Sequence, residues 1–151
     1  MRAVIQRVSK AKVSVGQKVC GEIQSGLLVF LGIGLQDEAA DVDWLSRKIL
    51  HARLFENENG TLVESVLESN RGLLVVSQFT LFANLRKGTR PSFHRAAPPT
   101  VAEHWYDAFC LVVEQQMGRP VAQGQFGGKM KVEAHNDGPL TLLLDSQDKG
   151  L

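Results

Sequence analysis

The residues best equipped for chemistry stand in two neighbouring stretches. The apolar run Leu73-Leu74-Val75-Val76 turns abruptly into Ser77-Gln78-Phe79-Thr80, which sets two hydroxyls, a carboxamide and an aromatic ring at the end of a buried strand. Such groups can orient an ester and a water. A hydroxyl nucleophile needs a base beside it, however, and no His or Lys adjoins Thr80. Ser77 and Thr80 also fit a plainer account in which they satisfy backbone groups as the strand runs out. Downstream, the stretch Arg86 to Arg95 carries Arg86, Lys87, Arg90 and Arg95 together with Gly88, Pro91 and Phe93. Such a loop can hold phosphates and stack a base, and it reads equally well as an ordinary solvated loop.

Other chemistries lack their signatures. HExxH, GxSxG and P-loop patterns are absent. His51, His94, His104 and His135 form no i,i+4 pair and adjoin no pair of cysteines, so no metal site is expected. Gly32-Ile33-Gly34 opens like a dinucleotide fingerprint, but Asp37 stands where its third glycine belongs, and no cofactor is expected. The acids between Asp37 and Asp43 and at Glu56 to Glu58 read as solvated faces rather than a catalytic pair. Cys20 and Cys110, far apart and outside any CxxC, read as small buried thiols of a reducing compartment.

Elements of alternating type must position these residues. Val- and Ile-rich runs at 2–8 and 12–15, then Gly16-Gln17, predict a hairpin leading into 18–24. Runs 27–33 and 73–76 are continuously apolar, as in strands covered on both faces. Two helices are expected to supply cover. The first runs from about Glu38 to Ala52, with Asp37 as N-cap and Leu45, Ile49 and Ala52 facing inward. The second opens on a Thr100/Glu103 capping box after Pro98-Pro99, with Val101, Trp105, Ala108, Phe109 and Val112 as its buried stripe, and ends at Gly118 and Pro120. Met130, Val132 and Ala134 alternate with polar residues, and Asn136-Asp137-Gly138-Pro139 reads as a turn into a last strand at 140–144. The expected fold class is α+β: a mixed, partly closed barrel-like sheet, two main helices on one side, and β-hairpins at both ends.

Composition bounds the function. With 151 residues, 44% of them hydrophobic, residues 1–151 are expected to form one domain able to bury its own core without disulfide or metal. A formal charge of +1 argues against a broadly basic nucleic-acid coat or a polybasic membrane binder, so any polyanion must be gripped locally. The apolar run 27–35 is too short to cross a bilayer and MRAVIQRV lacks the apolar centre of a signal peptide, so a cytoplasmic protein without membrane contact is expected.

Taken together, MRAVIQRV, GLLVFLGI at 26–33, LLVVSQFTL at 73–81, KGTRPSF at 87–93 with the following AAPP, FGGKM at 126–130 and NDGPLT at 136–141 resemble the D-aminoacyl-tRNA deacylase family, in order and over residues 1 to about 145. Gly128 departs from the family's usual alanine and Leu140 from its usual valine. The resemblance implies a homodimeric hydrolase that frees a D-amino acid from the 3′-terminal adenosine of tRNA. It carries the active site onto Ser77, Gln78, Phe79 and Thr80, and a chiral gate onto Gly138 and Pro139. That gate is implied to be a cis peptide reaching the partner's SQFT strand, braced by Arg7, with Phe126 and Met130 lining the pocket. Arg86, Lys87, Arg90 and Arg95 become candidate phosphate contacts for the aminoacylated 3′ end. The implied chemistry is RNA-assisted: the ribose 2′-hydroxyl helps activate water, and backbone N–H groups around Gln78, Phe79 and Thr80 hold the oxyanion. A gate of bare backbone carbonyls would reject L-residues by their side chains while admitting D-residues and glycine. Two other readings of the residues stay open, a nucleic-acid-binding module without chemistry and a small-ester hydrolase using Thr80 or Cys110.

Overall fold

A long N-terminal strand organises the molecule. In the computed structural model, which describes residues 1–150, β1 spans Arg2–Val15 and turns at Gly16-Gln17 into β2, Lys18–Ile23, with Val15 opposite Lys18. The expected N-terminal hairpin is therefore present. β3, Gly26–Gly32, returns antiparallel to the first half of β1, and β6, Gly72–Ser77, lies parallel to β3. A two-residue strand, β7 at Ala122–Gln123, extends the sheet beside β6. The curled sheet nearly closes where β7 meets β2: a Cβ on Gly21 would lie 2.7 Å from the Gln123 carbonyl oxygen, so only glycine lets these backbones approach. Arg53–Glu56 (β4) and Leu62–Ser65 (β5) pair separately as a small hairpin.

Both faces of the sheet are filled, as the unbroken apolar runs predict. One core holds Val8, Val13, Leu28, Leu74 and Val76 inside the curl. The larger one packs Ile5, Leu27, Val29, Leu73 and Val75 beneath α1 (Ala39–His51) and α2 (Pro99–Met117), which share that side. Each Leu, Ile or Val buried here contributes about 1.5–3 kcal/mol, so the two-sided burial of β3 and β6 anchors whatever their ends display.

Several expectations need correcting. Asp37 does not cap α1; it accepts bonds from the Met1 ammonium at 2.5 Å and the Gly34 N–H at 2.6 Å, while Glu38 is the N-cap and its N–H donates to Asp41. Thr100 does not cap α2 either, because Pro99 already occupies its first turn, where a missing N–H costs nothing. The buried stripe of α2 is Ala102, Tyr106, Phe109, Cys110, Val113 and Met117, about one residue out of phase with the expected one; Val101 is exposed. The phase was ambiguous because Tyr106, polar in sequence, satisfies its buried hydroxyl by donating to the Val75 carbonyl at 2.9 Å. At the other end, Gly118 does close the helix in the left-handed conformation.

The largest correction concerns the C-terminus. Residues Met130–Asp145 form one strand, β8, antiparallel to β1 from end to end, and not a hairpin. Fourteen residues of β1 face sixteen of β8, and the register shifts twice, by an extra Ser9 on β1 and by a larger excess of β8 opposite Arg7. Gln6 pairs with Thr141 and Val8 with Asn136, so Asp137, Gly138, Pro139 and Leu140 stand against Arg7 alone. The expected turn is thus a bulge that pushes Gly138 and Pro139 into solvent.

Candidate active site

Only Ser77 of the Ser77-Gln78-Phe79-Thr80 segment belongs to a strand. Gln78 N–H still donates to the Leu31 carbonyl at 2.7 Å, after which Phe79–Phe82 wind into a 3₁₀ turn. This corrects the picture of an SQFT strand: parallel pairing ends with Leu31 opposite Ser77, and the chain must turn to cover the sheet edge. The Gln78 carboxamide donates to the Thr80 hydroxyl. Phe79, exposed, meets Phe93 edge to face with ring centroids 4.9 Å apart.

These groups border a cleft of about 570 Å³. Its floor is Leu31, Ile33 and Val76; one wall is Ser77, Gln78 and Phe79, another Phe93, Ala96 and Ala97 running into the start of α2, and the last Phe126 to Met130. Of the predicted site residues, Ser77, Gln78, Phe79, Phe126 and Met130 therefore line one cavity. Thr80 stands exposed beside the cavity and outside its lining. The walls are fixed from below. Tyr106 donates to Val75 next to the floor and sets its ring 5.7 Å from that of Phe126. The Ala97 N–H donates to Ile33 at 3.0 Å, and the Leu35 N–H to Arg95 at 3.2 Å.

The wall from Phe93 to Ala97 was not legible as such, although the AAPP block lay in plain view; its signal was a break between a basic loop and a helix start. The loop itself is pinned at its neck by two mutual backbone bonds between Asn84 and Ser92, 2.9 and 3.0 Å. Arg86, Lys87, Arg90 and Arg95 are exposed at its surface, and no carboxylate among the described residues lies within ion-pair distance of them.

Arg7, Gly138 and Pro139 are brought together, but away from the cleft. Arg7 is opposite Leu27 whereas the cleft begins at Leu31, four residues further along β3, or about 13 Å. The buried Arg7 guanidinium donates to the Leu54 carbonyl at 2.8 Å and the Asp137 carbonyl at 3.3 Å, and pairs with Glu56 and Asp137 carboxylates at 3.2 Å. The partners on β4 came from a hairpin that sequence patterning missed. Gly138 has φ +116°, and a Cβ there would lie 3.0 Å from the Arg7 guanidinium. The Gly138–Pro139 peptide is cis.

The titratable groups near the cleft are poorly suited to attack. Burial pushes the Cys110 thiol up to about 12, against a partial offset from its hydrogen bond with Tyr106, so it is fully protonated at neutral pH. Burial likewise raises the Tyr106 phenol, with Cys110 adding to the shift. The Thr80 hydroxyl accepts from the Gln78 amide and has no base as a partner among the described residues. Among backbone donors, Gln78 N–H is taken by Leu31, while Phe79 and Thr80 N–H meet no acceptor among the described residues. No cluster of three or more His, Cys, Asp or Glu able to hold a metal occurs among the described residues.

Comparison with known proteins extends this geometry. Residues 4–145 match the family model described as D-Tyr-tRNA(Tyr) deacylase. A protein of Opitutus terrae named D-aminoacyl-tRNA deacylase is 54% identical over 97% of each chain, and a namesake from Christiangramia forsetii 48% identical over 99% of each. A solved structure described as c-Myc DNA Unwinding Element Binding Protein superposes with TM-score 0.90 at 40% identity, covering 96% of this chain and 98% of the other. A second, described as a probable eukaryotic D-amino acid tRNA deacylase, superposes with TM-score 0.81 over 95% and 97%; at 20% identity it speaks for the fold alone.

Proposed function

The chain belongs to the D-Tyr-tRNA(Tyr) deacylase family, and from that premise we propose that it hydrolyses the ester joining a D-amino acid to the 3′ end of tRNA, acting in the cytoplasm. It is a hydrolase of D-aminoacyl-tRNA, and the observation that carries its active site is the single cleft on which Ser77, Gln78, Phe79, Phe93, Phe126 and Met130 converge. The aromatic corner of Phe79 and Phe93 suits the terminal adenine, since base stacking on such rings is worth about 1–3 kcal/mol. The exposed Arg86, Lys87, Arg90 and Arg95 lie on the loop that ends in Phe93 and Arg95, within reach of the adjoining phosphates.

Hydrolysis needs water delivered to the ester carbonyl and a place for the oxyanion. The Phe79 and Thr80 N–H groups are free to take it, and each such donor is typically worth about 10²–10³ in rate. Water adds to the carbonyl carbon, the bond to the ribose oxygen breaks, and that oxygen leaves with a proton. With no side-chain base beside Thr80, the vicinal 2′-hydroxyl of the ribose serves as the proton partner, and Thr80 positions Gln78 rather than attacking.

Gly138 and Pro139 act as the chiral gate, and they act on a second copy of the chain. Their exposure and their separation from their own cleft support this homodimer, as does the brace that Arg7 gives the bulge. A wall of backbone carbonyls at the substrate α-carbon leaves room for hydrogen and none for an L side chain, so glycine also passes. No helix among the described residues is long and apolar enough to cross a membrane.

The name of the 40%-identical structure favours a second reading, nucleic-acid binding without hydrolysis. One assay separates them: incubation with matched D- and L-tyrosyl-tRNA, following ester loss. Selective loss of the D-form is expected; equal loss points to an indiscriminate esterase, and binding with no loss leaves the module.

A further inference from the structure

A second cavity, of about 700 Å³, lies between α1 and β8 and shares no lining residue with the cleft of Ser77 and Phe79. Its floor is apolar, built from Ile5, Leu142 and Leu144 with Ala52. Arg47 and Lys48 make its rim cationic, and His51 joins them from the last turn of α1. Trp44 gathers two ammonium groups over its ring, Lys48 at 5.9 Å and Lys149 at 5.7 Å from the centroid. No carboxylate among the described residues pairs with Arg47, Lys48, His51 or Lys149. Glu68 is already engaged by Ser65 and Arg53. On a chain of net charge +1, such a concentration of unpaired cations along one groove is complementary to an anionic occupant.

Position indicates which anion. Asp37, just ahead of α1, holds the Gly34 N–H next to cleft-lining Ile33, so the helix starts beside the active site. Arg47 and Lys48 stand eight and nine residues beyond Ala39, about 12–14 Å along the helix from its start. That is the reach of a short unpaired 3′ tail from its last nucleotide back to the paired stem. We infer that the α1–β8 groove is a second RNA contact, in which Arg47 and Lys48 hold backbone phosphates of the acceptor stem while Leu142 and Leu144 underlie the sugar face. The inference rests on the tRNA substrate proposed above and extends it from the acylated end to the paired stem.

Two lost phosphate contacts reduce the slope of log affinity against log salt by about 1.8 for a duplex, so an affinity gap caused by them shrinks about 12-fold between 50 and 200 mM salt. The test compares the wild-type protein with the Arg47→Gln/Lys48→Gln double variant and with Lys48→Arg, all at exposed positions. Fluorescence anisotropy with uncharged tRNA gives the salt slope, and hydrolysis is followed on D-tyrosyl-tRNA and on 3′-D-tyrosyl-adenosine, which has no stem. The double variant is expected to lose that slope and to raise KM on tRNA while keeping the wild-type rate on 3′-D-tyrosyl-adenosine; Lys48→Arg keeps the slope. An unchanged slope overturns the inference, as does an equal loss of rate on the stemless substrate. Should the wild type cleave neither ester, the deacylase reading fails, while the slope still decides the groove.

Discussion

Gly138→Ala probes the proposed gate through two independent features of one residue. Its φ of +116° lies where L side chains rarely go, and a new Cβ would sit 3.0 Å from the Arg7 guanidinium and 3.1 Å from the Leu140 nitrogen. A residue held in such a conformation costs of order 1–3 kcal/mol. For a chain of this size that lowers Tm by roughly 2–12 °C, at about 2–4 °C per kcal/mol. Neither neighbour yields freely, because Arg7 is held by Leu54, Glu56 and Asp137 and the Leu140 nitrogen is backbone. The bulge must therefore shift by some tenths of an ångström, and carbonyls that discriminate hydrogen from a methyl group by contact lose that discrimination. Parallel deacylation of D- and L-tyrosyl-tRNA, with a thermal melt of the same preparation, is expected to show lower Tm and a D/L rate ratio falling at least tenfold, mainly through faster L-cleavage. A lowered Tm with an unchanged ratio would remove Gly138 from the gate; an unchanged Tm would refute the structural reasoning itself.

Thr80→Ala is expected to retain at least a tenth of wild-type activity with no acyl-enzyme in intact-mass spectra, since its hydroxyl faces an amide and no base; abolished turnover with a trapped adduct on the wild type would establish covalent catalysis. Phe93→Ala removes the partner of Phe79 and is expected to raise KM for D-tyrosyl-tRNA roughly 5- to 150-fold, the equivalent of about 1–3 kcal/mol of stacking, with kcat little changed. Tyr106→Phe deletes one of two donors to the Val75 carbonyl, the other being Gly124 N–H, so it should cost only about 0.5–1.5 kcal/mol in chemical denaturation. Burial alone would raise the Asp145 carboxyl, but bonds from Arg2 and the Gln147 N–H, with the nearby positive charges, hold it below the ordinary carboxylate range. A depressed folded-state pKa gives stability that is present above about pH 4 and lost as pH falls through the lower folded value, so Asp145→Asn should flatten the Tm profile below about pH 4.

Local physics left much of the molecule open to reading. Unbroken apolar runs at 27–33 and 73–76 meant strands covered on both faces, and they are; Gly16 and Gly118 marked a turn and a helix end because backbone geometry at such points depends on one residue. The motif blocks carried the family, and Ser77, Gln78 and Phe79 were found where a buried strand becomes polar. What failed was whatever depends on a distant partner. Val101 and Ala102 are equally apolar, and only the packing of Tyr106 onto Val75 chose the phase of α2. Asn136 to Pro139 has the composition of a hairpin turn, yet β1 offered pairing along the whole of β8 and left those residues as a bulge against Arg7. The sequence by itself determined which chemistry the chain carries, because residue type and short-range order are local. Tertiary structure alone decided that the Gly138-Pro139 bulge stands beside Arg7 in the middle of β1 while the cleft opens at the ends of β3 and β6, because register and strand length are settled between segments far apart in the chain.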